Sequence, residues 1–396
     1  MNDEQNNNGS TEEPQAHRPL GADTPYEPVN EETQQRQPLS AETDYGEPAA
    51  AESTPADKTE EEPKQAGTEE TAEMTTAAGT EEEPVTDIVV SETDIVPVEE
   101  EAPKNRVIHI GTLMDALKCM ISFFTIIRLD VGEKECNAME RNFWLAPVLG
   151  AINGFVVFIV VLVLGLLLET NTGLLALIAL ATAFIFSKFL HFDGLVDFGD
   201  GMIVSSGKQE DHVHALKDSL IGAGGYGVSL IVVLMSIYCL SSLSWDVVAQ
   251  VDNTGTKFIS VAFIVWPLEI LVKNAQVAAA AFGKPGSGMA AKQVGNTEIN
   301  DVLLSTGVTA VLVIITSLIS WGIGSLCFIS TTLPLATVIL LMLVAILMSV
   351  GVGILMASVS NKTFGFVNGD VLGATNEISR ALILFVTLIL LTISLW

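Results

Sequence analysis

The sequence predicts an all-α polytopic membrane helix bundle, with about seven spans plus one interfacial or re-entrant helix, preceded by a disordered N-terminal tail. Three observations carry this reading. Residues 1–105 hold 28 of the 47 acids, 5 of the 19 bases and 11 of the 15 prolines, so most of the net charge of −28 belongs to the first quarter. Residues 106–396 carry seven long apolar stretches. The polar segments between those stretches gather their basic residues on one side.

The tail is rich in Glu, Thr, Pro, Gln, Asn and Ala, with acidic runs at 81–83 and 99–101. Such a segment cannot bury enough apolar surface to offset its chain entropy, so residues 1–105 form a disordered acidic domain. Its polar start lacks the basic and apolar blocks of a secretory signal. The apolar patches at 88–90 and 95–98 are its best candidates for a docking contact. Residues 106–396 form the integral membrane domain. The stretches 143–168, 173–190, 222–243, 258–281, 301–326, 332–357 and 379–396 each approach the roughly 17–25 residues that span a bilayer as helix. The stretch 110–128 is short and carries Asp115 and Lys118, which suits an interfacial or re-entrant helix.

If 110–128 does not span, one side receives Arg128, Lys134, Arg141, Lys188, Lys208, Lys217, Lys284, Lys292, Lys362 and Arg380, whereas the opposite connections receive Lys257 alone. Basic residues mark the cytoplasmic side, which places the polar loops on that side and the tail in the cytoplasm of a multi-pass cell-membrane protein. The charge balance excludes a basic stripe for nucleic acid. Cys119, Cys136, Cys239 and Cys327 are far apart and show no C-x-x-C spacing. That speaks against a disulfide framework or a thiolate zinc site and fits a reducing compartment.

The segment 187–201 reads S-K-F-L-H-F-D-G-L-V-D-F-G-D-G. Asp193, Asp197 and Asp200 fall at i, i+4 and i+7 and share one helical face. Three carboxylates in register repel one another unless a cation sits among them, and oxygen-only ligands favour Mg²⁺, Mn²⁺ or Ca²⁺. His191 stands beside them; a lone interfacial histidine is more often structural. His212 and His214 read as solvated. Next comes Lys217-Asp218-Ser219-Leu220-Ile221-Gly222, followed by further glycines at the start of a span. That pattern allows a phosphate cradle at a helix N-terminus or tight packing of a glycine-rich membrane helix.

Glu269 and Lys273, at i and i+4 in an otherwise apolar span with Asn274 and Gln276, can pair with each other. A flexible glycine loop at 282–289 carries Lys284. Asp370 and Glu377 are i, i+7 before the last span, where acids also suit a helix dipole.

As a set, these residues resemble the cobalamin synthase family, whose members are adenosylcobinamide-GDP ribazoletransferases. The family's acidic segment, approximately H-L-D-G-L-A-D-x-x-D-G, is similar to His191-Phe-Asp193-Gly194-Leu-Val-Asp197-Phe-Gly-Asp200-Gly201. Its K/R-D-S-R-I-G segment is similar to Lys217-Asp218-Ser219-Leu220-Ile221-Gly222. Its late G-x-T-G-D-x-L-G-A segment is similar to Gly365-Phe-Val-Asn368-Gly369-Asp370-Val-Leu372-Gly373-Ala374. The likeness covers about 110–396. Three departures stand out: Leu220 where the family has Arg, Asn368 where it has Thr, and Lys273-Asn274 where many members have Ser-Arg.

The resemblance implies a transfer in which α-ribazole or its 5′-phosphate attacks the diphosphate of adenosylcobinamide-GDP, releasing GMP and forming cobalamin or its 5′-phosphate. It implies Mg²⁺ as cofactor, held by Asp193, Asp197 and Asp200 with Asp370 or Glu377. Lys217, Asp218, Ser219, Lys284, Asn368, Gly369 and Lys273 would bind substrate, and a carboxylate or His191 would take the hydroxyl proton. The partners are then these two small molecules and the bilayer; a homo-oligomer or a complex with other cobalamin-assembly enzymes is compatible with this. Two rivals are a CDP-alcohol-type phosphotransferase, which expects an A-R pair and wider Asp spacing, and a divalent-cation transporter, which expects ionisable groups at mid-membrane. Deleting residues 1–100 is expected to leave transfer largely intact, measured as GMP release by the truncated protein in liposomes.

Overall fold

The computed structural model describes residues 110–168, 171–248, 257–326 and 335–394. The tail with its apolar patches, Cys327, and the connections 169–170, 249–256 and 327–334 lie outside the described residues. Among the described residues the regular elements are twelve α-helices and one 3-10 turn, joined by an isolated bridge between Pro285 and Val367.

The first two helices are short. α1 (Ile110–Phe124) packs on α2 (Glu133–Arg141), burying Ala116, Cys119, Met120 and Met139. Lys134 pairs with Asp115 at 2.8 Å. Pairs this exposed contribute little, so apolar burial holds the two helices together. α1 ends at Phe124, short of the expected 128. The Thr125 hydroxyl donates to the Ile121 carbonyl and the Ile126 N–H turns away to the Phe186 carbonyl at 2.9 Å.

The pair also brings together two cysteines that are distant in sequence, both of them free thiols. Cys119 Sγ lies 3.3 Å from Cys136 Sγ, a contact that seventeen residues of separation concealed. Burial first, then the Cys136 hydrogen bond, pushes the Cys119 thiol up to about 12, so Cys119 remains a thiol in this contact.

Six helices are long and apolar enough to cross a membrane: α3 (Ala146–Leu168), α7 (Ala223–Val248), α8 (Lys257–Phe282), α10 (Ile299–Leu326), α11 (Leu335–Thr363) and α12 (Gly369–Ser394). A seventh candidate is bent. α4 (Thr172–Phe186) turns by 95° into α5 (Leu190–Ile203), so the expected span at 173–190 is shorter and the acidic segment is a separate helix.

The break has a local cause. Phe189 N–H donates to the Phe184 carbonyl at 2.7 Å and Lys188 N–H to the Ile185 carbonyl at 3.1 Å. These are the two bonds of a Schellman stop. Lys188 and Phe189 have φ of 56° and 57°, where glycine is usual. Each left-handed residue costs about 1 kcal/mol. The Phe184, Phe189 and Phe192 rings, with centroids 5.2–6.2 Å apart, pack over the bend and help hold it.

α8 runs through the centre, with 78% of its span buried. Small residues let its neighbours close in. Gly150 and Gly154 on α3 form a small-xxx-small pair against it. A β-carbon at Gly154 would stand 2.6 Å from the Trp266 carbonyl oxygen, and one at Gly150 would stand 2.9 Å from the Ile270 Cα. The Trp266 indole N–H donates to the Ala151 carbonyl at 3.0 Å across the same seam. Gly353 of α11 meets Ala278 of α8 in the same way.

The last span differs from the expectation of 379–396. It begins at Gly369, because Asn368 caps it, so Asp370 and Glu377 lie on the spanning helix itself. The remaining helices, α6 (Gln209–Lys217) and α9 (Met289–Asn296), are short connectors beside the polar end.

Gly150→Leu should force α3 off α8, where backbone rather than a yielding side chain opposes the new atoms. A loss of about 1–3 kcal/mol is expected, the usual range for overpacking. Monodisperse yield and thermal midpoint in detergent would register it; an unchanged midpoint would mean that the α3–α8 seam is not tight.

Candidate active site

The site is assembled where α5 and the start of α12 touch. Gly194 permits the approach: a β-carbon there would lie 2.7 Å from the Asp370 carbonyl oxygen. Gly373 of α12 lies against the His191 backbone in the same crossing. This brings the acidic row of α5 to Asp370. Asp197 is within electrostatic reach of Asp370, Asp193 and Asp200, and Asp370 is within reach of Asp193 and Lys217. Asp193 is exposed, while Asp197 and Asp370 are half-buried. Asp370 is oriented by Asn368, whose Nδ2 donates to Oδ2 at 2.7 Å.

Asp200 has a different task from its neighbours. Its carboxylate accepts from the Gly222 N–H at 2.8 Å and the Gly225 N–H at 2.7 Å. The first turn of α7 therefore already holds an anion, and it belongs to the protein. This settles the two readings of the glycine segment. Gly199 and Gly225 let α5 and α7 cross closely, and the helix N-terminus binds Asp200 rather than forming a free phosphate cradle.

Five further expectations are corrected. Glu269 does not pair with Lys273; it accepts from Arg380 Nη2 at 2.7 Å, and Arg380 also pairs with Glu377. Glu377 is thereby buried and engaged, which removes it from the candidate metal ligands. Lys273 is 1% exposed, with its Nζ 2.6 Å from His191 Nε2 and 3.0 Å from Gln276 Oε1. Its Nζ is therefore committed to partners inside the bundle. His191 is 3% exposed, stacked on Phe124 and engaged through Nε2, which encloses it away from the exposed Asp193 and suits a structural role. His212 is not solvated: its two ring nitrogens lie 2.7 Å from the Gly201 carbonyl and 2.9 Å from the Ser206 carbonyl, tying α6 to the end of α5.

The loop at 283–288 is pinned rather than flexible. Val367 N–H donates to the Lys284 carbonyl at 2.7 Å, and Lys284 N–H donates to Asn361 Oδ1 at 2.8 Å. The exposed Lys284 side chain thus projects from a loop bonded to the segment leading into Asp370. Lys217, Asp218 and Ser219 are exposed between α6 and α7. Asp218 Oδ1 accepts from the Leu220 N–H at 3.0 Å, and the Leu220 side chain is 76% exposed.

Asn368 is a helix N-cap, its Oδ1 accepting from Val371 N–H at 3.1 Å; Gly369 follows as the first helical residue. Thr and Asn both serve as N-caps, so this departure from the resembled pattern preserves the local structure. The reading of a span at 379–396 misses this cap, although N-G-D-V before an apolar run is a signal for one. Arg380, 111 residues from Glu269, carries no such signal.

As a donor set, Asp193, Asp197 and Asp370 offer hard oxygen ligands on two helices. Among the described residues no three His, Cys, Asp or Glu side chains close into a cage for an ion. Mg²⁺ typically keeps several waters and takes one or two carboxylates plus substrate phosphates. An open row of acids suits that coordination.

Comparison with known proteins follows the same residues. A family model described as cobalamin-5-phosphate synthase matches residues 116–388. A protein of Methanocella arvoryzae named adenosylcobinamide-GDP ribazoletransferase is 29% identical over 275 residues, covering 68% of this chain and 94% of the relative. Relatives of the same name from Methanococcoides burtonii (24% over 278 residues; 70% and 93% covered) and Methanosarcina mazei (28% over 284; 71% and 94%) are similar over nearly their whole length. No solved structure matches. The family match spans the membrane domain and takes in both helices that carry the acids, and the chain belongs to the cobalamin-5-phosphate synthase family.

Proposed function

We propose that this protein transfers the corrinoid phosphate of adenosylcobinamide-GDP to α-ribazole or α-ribazole 5′-phosphate, releasing GMP and forming cobalamin or its 5′-phosphate. The observation that carries this reading is the meeting of Asp193 and Asp197 with Asp370 across the α5–α12 crossing, in a chain whose relatives bear that name. In such a step the ribazole hydroxyl oxygen bonds to the corrinoid-linked phosphorus while the anhydride bond to GMP breaks. The barrier is lowered chiefly by in-line positioning and by neutralising charge.

Bound Mg²⁺ would supply that neutralisation. Asp193, Asp197 and Asp370 would hold it. Lys217 and Lys284, both exposed, extend positive charge toward the outgoing phosphate, while Asp218 and Ser219 offer polar contacts to the sugar or phosphate groups. With His191 enclosed, the hydroxyl proton passes to a carboxylate of the row. Leu220 withholds a bidentate donor that the family pattern supplies, and Lys217 stands nearest in the chain to compensate as a point charge. The clustering of loop basic residues favours a cytoplasmic site in the cell membrane.

The transporter alternative needs accessible ionisable groups at mid-membrane. Here Glu269, Glu377 and Arg380 are paired with one another instead.

The reading is tested with purified protein in liposomes given adenosylcobinamide-GDP, α-ribazole 5′-phosphate and Mg²⁺, with GMP and corrinoid product separated by chromatography. Product should form and should vanish with a chelator; a chelator-resistant rate would remove the metal from the reaction. Asp197→Asn should lower the rate by about 100-fold or more, the scale of removing a preorganised charge contact, while leaving the thermal midpoint nearly unchanged. Asp200→Ala should behave differently, costing about 1 kcal/mol of stability as a lost helix cap. Equal midpoints for the two variants would contradict the division of roles between these aspartates.

A further inference from the structure

Lys273 and Gln276 lie on the buried central helix, away from the acids, yet each bonds a helix that carries them. Lys273 Nζ meets His191 Nε2 at 2.6 Å, two residues before Asp193 on α5. The same nitrogen donates to Gln276 Oε1 at 3.0 Å. Gln276 Nε2 donates in turn to the Leu372 carbonyl at 2.9 Å, two residues after Asp370 on α12. The Phe124 ring closes the third side, 5.6 Å below the Lys273 nitrogen and parallel to the His191 ring. An ammonium has three donors and no acceptor; two are taken by His191 and Gln276, and the Phe124 ring lies on the remaining side.

The chain of bonds is directional. With its oxygen engaged by Lys273, the Gln276 amide must aim its NH₂ at α12. All four partners are enclosed: Lys273 is 1%, Gln276 2%, His191 3% and Phe124 9% exposed. Gly150 of α3 presses on the Lys273 stem, where its missing β-carbon would stand 2.9 Å from Cγ, so the lysine has one course to follow. Leaving any buried member unpaired carries its full desolvation cost.

We propose that Lys273 and Gln276 are positioning residues, a brace from α8 that sets the spacing of Asp193 and Asp197 against Asp370. The claim rests on the metal reading of these acids given above. Groups that orient ligands without touching the ion typically matter 10–100-fold in affinity. The adjacent Asn274 supplies a control, since it bonds Ser305 and Ser349 on α10 and α11 instead.

The test uses the full chain in detergent with Mn²⁺ alone as probe. Free Mn²⁺ is counted by electron paramagnetic resonance, and hydrogen exchange is followed across 190–203. Lys273→Met and Gln276→Leu should each weaken Mn²⁺ binding about 10-fold or more and raise exchange in α5. Asn274→Leu, compared at equal folded fraction, should change neither. Gln276→Leu alters no charge, so a loss there cannot be an electrostatic artefact of removing an ammonium. Unchanged affinity and exchange in both brace variants would overturn the proposal, as would equal losses in Asn274→Leu, which would mean general destabilisation. If the unaltered protein binds no Mn²⁺, the metal reading fails by itself. The brace is then decided by exchange: loosening of α5 in both brace variants and not in the control upholds it, and no difference overturns it.

Discussion

A charge inside an apolar bundle must be answered by a partner, and that constraint organises this molecule. Arg380 on α12 sits between Glu269 of α8 and Glu377 of its own helix, all three buried. One turn along α8, Lys273 is answered by a neutral imidazole and an amide. Two acids thus stand with two bases. In a low dielectric, removing one member would strand the others. Pairings of this kind accept few alternative registers, so α8 and α12 are fixed both along and around their axes. The active-site acids inherit that placement because Asp370 is on the same helix as Arg380.

The second requirement is proximity. The backbones of α5 and α12 meet because Gly194 and Gly373 leave nothing between them, which brings Asp193 and Asp197 within electrostatic reach of Asp370. The same device brings α3 onto α8 and α5 onto α7. The bend after α4 completes the arrangement. Two left-handed non-glycine residues turn the chain by 95°, so α5 departs from the line of α4 and crosses the start of α12 at Gly194. Strain at this point is consistent with a segment whose direction matters more than its local stability.

The departures from the family pattern differ in kind once their surroundings are known. Asn368 replaces one capping residue by another and also steers Asp370. Lys273 and Asn274 face different neighbours: Lys273 bonds His191 of α5 and, on its own helix, the Gln276 that bonds α12, whereas Asn274 bonds α10 and α11. Leu220 alone lies in the open, on a loop beside Lys217, where no buried partner is left without its match.

Much of this was legible in the sequence. Long apolar stretches must be helices in lipid, because every backbone polar group needs an internal partner there. The i, i+4, i+7 spacing placed Asp193, Asp197 and Asp200 on one face, and α5 is indeed a helix across them. The sequence also contained every member of the site. It did not reveal their division of labour. Helical spacing reports which residues share a face, not what that face meets. Asp200 turned to the α7 N-terminus, Glu269 chose Arg380 over the nearer Lys273, and Cys119 met Cys136 across two helices. Each of those outcomes depends on contacts between segments 17 to 111 residues apart. Local periodicity determined the helices and the acidic row; only tertiary packing, through close glycine crossings and the need to pair buried charge, decided which acids are tied to another helix and which are not.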